Sequence, residues 1–219
     1  MPGKRLWVAV LFTTTLIAGA AAQNNRNNEM NDEKNEIGGA IGRIFISDQG
    51  IKSAIPNPTI HSGKGLTFDG EYARRVIITP VYGLAIEGVV AYNRGVKLNA
   101  GEYLYSVVPE GYKELFVTPA ARVNLFPTTA VSPWLSFGGG FGHFTENSKL
   151  LFGGVNPGKN TTTGTIEMGI GLDVKVWKRL GMRGGMRDFW SGEPDYPLAP
   201  TGKSRQHNYF VFGGAFWRF

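Results

Sequence analysis

The sequence predicts an all-β fold, an eight-stranded antiparallel up-and-down transmembrane β-barrel. Three features indicate it: strands that alternate apolar and polar residues, connections that alternate between long and short, and a secretory signal at the amino terminus. The clearest strand is 165–176, in which every second side chain from Ile166 to Val176 is apolar, and the positions between them include Glu167 and Asp173. A period of two places the two sets on opposite faces of a strand. The stretch exceeds the usual length of a soluble strand and is long enough to cross a bilayer.

Residues 1–22 have the layout of a secretory signal peptide. A basic start precedes an apolar run at 6–17, and Ala20 and Ala22 form the Ala-x-Ala spacing of a cleavage site. An uncleaved anchor helix is the less favoured alternative, because the apolar run is too short to span a bilayer. We therefore expect cleavage between Ala22 and Gln23 and export of the mature chain.

The rest of the chain divides into a polar lead-in at 23–36, expected to be disordered in the periplasm, and a barrel domain at 37–219. The eight predicted strands are 37–47, 65–77, 83–93, 114–125, 133–145, 164–176, 181–190 and 208–219. The connections between them alternate strictly between long and short. Membrane barrels have short periplasmic turns and longer outside loops, so we expect the long connections to face outward from the cell.

Extending the alternation of the sixth strand through the sheet directs many charged residues into the lumen. The predicted lumen set is Arg43, Asp69, Glu71, Arg75, Glu87, Arg122, Glu167, Asp173, Lys175, Arg183 and Arg187. Acids and bases nearly balance, as a closed interior requires, because an unpaired buried charge is strongly unfavourable. An eight-stranded barrel has an interior that side chains just fill.

The same alternation assigns the remaining large residues to faces. It directs Arg74 outward, Phe210, Phe212 and Phe216 inward and, in the first strand, Gly39, Ile41 and Phe45 inward beside Arg43. Aromatic residues near strand ends are expected at the two membrane–water interfaces; they are Tyr72, Tyr92, Trp134, Trp177, Trp190, Tyr209 and Trp217.

Three substitutions in the sixth strand follow from these faces. Leu172→Arg would place a cation in hydrocarbon near mid-depth. Gly171→Ser would add a small polar group to a polar lumen and is expected to cost much less, unless the glycine makes room for a large neighbour. Glu167→Gln would leave its arginine partner underpaired.

The carboxyl-terminal strand ends on Phe219, with Trp217 on the same face. This resembles the terminal strand of bacterial outer-membrane barrels, in which a final Phe is read by the assembly machinery. Together with the signal peptide and the alternating strands, it makes the chain similar to the small eight-stranded outer-membrane barrels of the OmpA/OmpX-like family. The resemblance implies a monomer in the cell outer membrane with a structural or surface-interaction role. Its implied partners are outer-membrane lipid, lipopolysaccharide and the barrel assembly machinery through Phe219.

Two other functions remain open. One is a narrow channel for small or hydrophobic solutes, as in the OmpW-like barrels, although the lumen charges argue against a wide pore. The other is a lipid A-modifying enzyme, because His143 and Thr145 resemble in part the His-x-Ser pair of the lipid A deacylases. Thr145 replaces the serine, and Glu167 on the next strand points into the lumen, so the enzyme is the less favoured of the two.

A further possibility concerns the arginines of the seventh strand. Arg183 and Arg187 with Asp188 could clamp an anion, but Glu167 and Asp173 are the favoured partners of the two arginines.

Other classes of function find little support. The formal net charge of +6 is too small to argue for nucleic acid binding. There is no cysteine, and hence no disulfide framework. His61 and His207 stand alone in predicted loops, so no metal-ligand cluster is expected. The sequence therefore predicts no enzyme and offers no catalytic, cofactor-binding or metal-binding residues.

Overall fold

A computed structural model describes residues 33–51, 59–101, 104, 106–201 and 205–219 of the chain. The predicted signal peptide and most of the predicted lead-in lie outside the described residues. Within the described ranges, no helix is long and apolar enough to cross a membrane.

The described chain is built from antiparallel strands, and all eight predicted strands are present. The strands are β1 Asn35–Ile46, β2 Gln49–Gly50, β3 Thr59–Ser62, β4 Lys64–Ile78, β5 Tyr82–Ala100, β6 Gly111–Leu125, β7 Val131–Glu146, β8 Thr161–Lys175, β9 Leu180–Ser191 and β10 Gln206–Arg218. Two differences from the prediction concern the first two long connections. The short strands β2 and β3 lie in the first, and β5 continues seven residues further than expected, because β3 pairs with its extension, Ile60 opposite Ala100.

The eight long strands close into a ring in the order β1, β4, β5, β6, β7, β8, β9, β10 and back to β1. Closure comes from the first and last strands, which pair from Glu36 opposite Arg218 to Ile46 opposite Asn208. A closed ring satisfies the backbone hydrogen bonds of all eight strands with one another. That is the condition for a sheet to cross a bilayer, and the predicted fold class is confirmed.

The two ends of the barrel differ. The short turns at 79–81, 126–130 and 176–179 lie at the same end as both termini, where the backbones of Asn35 and Phe219 exchange two hydrogen bonds of 2.9 Å. At the other end, the long connections pack onto the barrel mouth. Residues from them join the buried apolar cluster in the half of the lumen at this end, and we call them the loop cap: Ile60, Leu104, Val108, Tyr196 and Ala199.

Side chains alternate between the two faces of the barrel as predicted. In β8, Glu167 and Asp173 are buried, whereas Ile170 and Leu172 are exposed on the outer surface. Arg74 is exposed, and the phenylalanines of β10 that were predicted to face inward, Phe210, Phe212 and Phe216, are all buried.

The prediction for the first strand was wrong by one residue in register. Ile44 and Ile46 are buried, whereas Gly39, Ile41, Arg43 and Phe45 are exposed on the outer face. Three successive inward positions of β1 are small, namely Gly38, Ala40 and Gly42, and the large rings of β10 lie beside them.

The pairing of β1 with β10 shows this crowding. Gly42 lies opposite Phe212, and Gly38 lies opposite Phe216. A β-carbon at Gly38 would also stand 2.6 Å from Oε1 of Glu71. The inward side of β1 therefore accepts glycine where a larger residue would collide, and glycine carries no hydrophobic signal in the sequence.

One of the aromatic residues assigned to the membrane interfaces lies elsewhere. Trp134 is 1% exposed and lies inside the lumen. Three glycines of β8 and β9 make room for it, because β-carbons at Gly169 and Gly185 would stand 2.9 and 2.8 Å from the indole and Gly171 also faces it. Most of the others are exposed on the outer surface, namely Tyr72, Tyr92, Trp177, Tyr209 and Trp217.

Candidate functional site

The lumen holds a continuous network of buried ion pairs, which we call the lumen cluster. Its members, all buried, are Glu36, Asp69, Glu71, Glu87, Arg122, Glu167, Asp173, Arg183, Arg187 and Arg218. Every long strand except β7 contributes at least one of them, and β7 adds Ser136.

Arg122 of β6 connects carboxylates from three other strands. Its Nη2 donates to Oε1 of Glu36 at 2.6 Å, and its Nε lies 3.1 Å from Oε2 of Glu87. Its Nη1 is 3.9 Å from Oδ2 of Asp173. One guanidinium therefore joins β1, β5 and β8 across the lumen.

Arg183 of β9 makes a two-pronged contact with Asp173 on the neighbouring strand. Its Nε and Nη2 donate to the two carboxylate oxygens at 2.7 and 2.8 Å. This geometry matches the fixed fork of the guanidinium. Arg183 also donates from Nη2 to Glu36 at 2.8 Å and from Nη1 to Glu71.

Arg187 of β9 spans the barrel at the next level. Its Nη1 donates to Glu87 and to Glu167, each at 2.8 Å, and its Nη2 donates to Glu71 at 3.0 Å. Ser136 adds a hydrogen bond of 2.8 Å to Glu167. Since β5 lies opposite β9 in the ring, the bond to Glu87 crosses the full width of the lumen.

Two members of the cluster were missed by the sequence reading. Glu36 was assigned to the lead-in, but it is in β1 and binds Arg122, Arg183 and Arg218. The bond from Nε of Arg218 to Glu36 is 2.8 Å. The sequence pattern does contain a signal for Arg218. Phe219 was assigned to the outer face, so its neighbour Arg218 falls on the alternate positions that face the lumen.

Aromatic rings fill the space between the arginines. The guanidinium carbons of Arg183 and Arg187 lie 5.7 and 5.2 Å from the ring centre of Trp134. Phe216 lies 4.9 Å from the guanidinium carbon of Arg183 and 4.6 Å from that of Arg218. Cation–π contacts are strongest between desolvated groups, and these guanidinium groups are buried.

Eight of the eleven residues predicted for the lumen belong to the lumen cluster. The ten predicted members other than Arg43 are all buried. Arg43 lies outside because of the register of β1. The possible anion clamp does not form, because Arg183 and Arg187 bind carboxylates inside the lumen while Asp188 faces outward in the alternation of β9.

The histidine of the enzyme-like pair, His143, contacts a hydroxyl on the neighbouring strand. Nδ1 of His143 lies 2.8 Å from Oγ1 of Thr162 on β8. Glu167 is buried in the lumen, as the sequence predicts, and forms an ion pair with Arg187 there.

The other two histidines are not isolated, which corrects the sequence reading. His61 lies in β3 with Nδ1 2.8 Å from Oδ2 of Asp48, and His207 lies in β10 with Nδ1 2.7 Å from Oδ2 of Asp188. Among the residues that the structure describes, no group of three His, Asp or Glu side chains could hold a metal ion.

The arrangement can keep a lumen closed. The side chains of Arg187, Glu87 and Glu167 have no exposed surface, and the apolar cluster with the loop cap lies above them. Each charge is held by opposite charges from other strands, so opening a path would require several ion pairs to break together.

No family model matches the sequence, and no curated protein matches it. Solved structures do match. The outer membrane protein OprG from Pseudomonas aeruginosa has a TM-score of 0.57 at 13% identity, over 85% of this chain and 96% of that one. Neisserial surface protein A has a TM-score of 0.52 at 13% identity, over 84% and 97%. The outer membrane protein AlkL has a TM-score of 0.51 at 12% identity, over 85% and 90%.

Identities this low bear on the fold alone. The alignments cover most of this chain and most of each matched structure, and this chain closes into an eight-stranded ring. The chain therefore has the fold of the small eight-stranded outer-membrane β-barrels, closed around a lumen that charged side chains fill.

Proposed function

We propose that the protein is an integral outer-membrane barrel with a structural or surface-interaction role and a closed lumen. The observation that carries this proposal is Arg187, whose buried guanidinium binds Glu71, Glu87 and Glu167 and so blocks the width of the barrel. A channel would need a water-filled path at this level. The parts of the protein left to meet partners are the exposed residues of the long connections and the outer surface of the barrel.

Planar bilayers test the closed lumen. The reconstituted wild-type protein is expected to give no steady conductance, because ions cannot pass the lumen cluster. Heat-modifiable migration on gels should show in the same preparation that the barrel is folded. Steady single-channel steps from folded protein would favour the narrow channel for small or hydrophobic solutes instead.

The proposed partners follow from the surfaces at the two ends. The apolar outer face meets membrane lipid, and the loop-cap end meets lipopolysaccharide. The barrel assembly machinery would recognise Phe219, whose side chain is 46% exposed beside the closing strands. The barrel closes within one chain, so we infer a monomer.

We also infer that the protein is not an enzyme. His143 is bonded to Thr162, and Glu167, the acid of the neighbouring strand, lies on the other side of the barrel wall, where it cannot orient a catalytic histidine. Lipid A from cells that produce the wild type or His143→Ala should have the same mass spectrum. Loss of an acyl chain in the wild type alone would contradict this inference.

A further inference from the structure

A polar and aromatic group of side chains lies on the outer face of the barrel, at the end that carries the loop cap. We call it the rim cluster: Asp188 and Trp190 of β9, Arg205 just before β10, and His207 and Tyr209 of β10. In β9 and β10 these positions share the parity of Met186 and Val211, which are exposed on the outer surface.

The position of the rim cluster along the barrel corresponds to the level of lipid headgroups. Trp217 lies near the opposite end of the same face of β10. The strand from Trp217 to His207, at about 3.3 Å per residue and a tilt of about 40°, rises about 25 Å. An apolar band of about 25 Å is typical of such barrels, so His207 lies at its edge.

Asp188 holds the imidazole of His207 in one orientation. Nδ1 of His207 lies 2.7 Å from Oδ2 of Asp188, whose side chain is 11% exposed. A carboxylate on the membrane-facing side of a barrel is unfavourable, and ionisable residues at such positions usually mark a functional site. Because Nδ1 faces Asp188, Nε2 is the nitrogen left for a ligand, and the His207 side chain is 42% exposed.

Aromatic rings flank the imidazole on the outer face. Trp190 stacks on His207 at 6.0 Å and 15°, and Tyr209 stacks on it at 5.5 Å and 3°. Arg205 lies over Trp190, with its guanidinium carbon 4.7 Å from the ring centre. Arg205 and His207 are two residues apart in extended chain, so their Cα atoms are about 7 Å apart.

Arg205 carries a charge that no acid of the described residues compensates. No carboxylate of the described residues forms an ion pair with it, and the residue is exposed. Its fork of donors matches the oxygens of a phosphate group. An imidazolium at His207 would donate one N–H to Asp188 and present the other to the same anion.

We propose that Arg205 and His207 bind the phosphate group of a membrane lipid, with Asp188 as the positioning residue for the imidazole. Trp190 and Tyr209 pack against the carbons that carry the phosphate. The proposal rests on the proposed function as a membrane barrel and adds to it a specific lipid site between β9 and β10.

Histidine NMR tests the site with the full-length mature protein in non-ionic detergent micelles. The chain has three histidines, so selective labelling gives three assignable signals. Added phosphatidic acid is expected to shift the signal of His207 and leave those of His61 and His143 unchanged. His61 is an internal control, because it also pairs with an aspartate but lies in β3 without this aromatic stack.

Matched variants separate the site from general surface charge. Arg205→Gln is expected to weaken phosphatidic acid binding about tenfold. Arg94→Gln removes the same charge from the exposed outer face of β5, on the opposite side of the ring, and is expected to leave binding unchanged. Asp188→Asn should change the 15N signals of His207 before any lipid is added, and should also weaken binding.

The outcomes are distinguishable. Inorganic phosphate at the same concentration is expected to produce a much smaller shift, and an equal shift would overturn the assignment to lipid. If Arg205→Gln and Arg94→Gln weaken phosphatidic acid binding equally, or if the NMR signal of His207 does not shift, the lipid site is wrong. Heat-modifiable migration of the same protein would then still support the barrel. Absence of that migration in the wild type would overturn the proposed function itself.

Discussion

Arg187 is the residue on which the closed lumen most depends, because it binds three carboxylates from three other strands. Arg187→Leu would leave Glu71, Glu87 and Glu167 buried without their shared cation. Breaking a buried ion pair in this way costs about 3–5 kcal/mol. Urea unfolding in lipid vesicles should show this loss, whereas Arg43→Leu on the outer face should stay close to the wild type. Equal unfolding midpoints for the two variants would contradict the network.

Gly171 shows why the tolerance of a glycine cannot be predicted from its own strand. The sequence suggested that Gly171→Ser is mild unless the glycine makes room for a large neighbour, and a β-carbon there would collide with the carbonyl of Gly184 and approach Trp134. We expect a loss of about 1–3 kcal/mol, as overpacking usually costs. Gly213→Ser is the matched control, because no atom lies within 4 Å of its β-carbon position. If both variants unfold alike in urea, Trp134 does not lie over β8 as described.

The third residue-level substitution, Glu167→Gln, is milder than the sequence suggested. Arg187 would keep Glu71 and Glu87 as partners, so its charge would not be left alone. The remaining cost is that of a weakened buried hydrogen bond to a charged group, about 1.5–3 kcal/mol. The same urea titration should place this variant between Arg43→Leu and Arg187→Leu.

At the scale of elements, the inward and outward faces of β8 could be assigned from the sequence, whereas those of β1 could not. β8 carries charges on one face and large apolar residues on the other, so a slip of one residue would bury the wrong set. In β1, glycine or alanine occurs on both faces and the inward face has few large residues, so the pattern does not fix the register. The strand is positioned by Phe212 and Phe216 of β10, which are far away in sequence.

The outer face of β8 gives a prediction that depends on depth. Leu172→Arg places a cation near the middle of the apolar band, which costs about 2–4 kcal/mol in such barrels. Val176→Arg, just beyond the end of the same strand, should cost about 0–1 kcal/mol, because a cation there reaches the interface. Folding titrations into lipid vesicles measure both. If Val176→Arg loses more folding free energy than Leu172→Arg, then Val176 lies deeper in the membrane than Leu172, contrary to this assignment.

At the scale of the whole molecule, strand number, ring closure and the alternation of long and short connections all follow from local sequence patterns. The lumen cluster could be predicted as a set of charges but not as a set of pairs. The bond from Arg187 to Glu87 joins opposite walls, and its partners are fixed only when the ring closes. The loop cap was not foreseen either, because its apolar residues are scattered through connections without periodicity.

The orientation of the barrel in the outer membrane can be measured directly with a protease. Lys159 lies in the long connection 147–160, and Arg179 lies in the short turn 176–179, and both are exposed. Trypsin added to intact cells is expected to cleave after Lys159 and spare Arg179, whereas permeabilised cells should lose both sites. Cleavage at Arg179 in intact cells would mean that the termini and short turns face outward, and the rim cluster would then lie at the periplasmic leaflet.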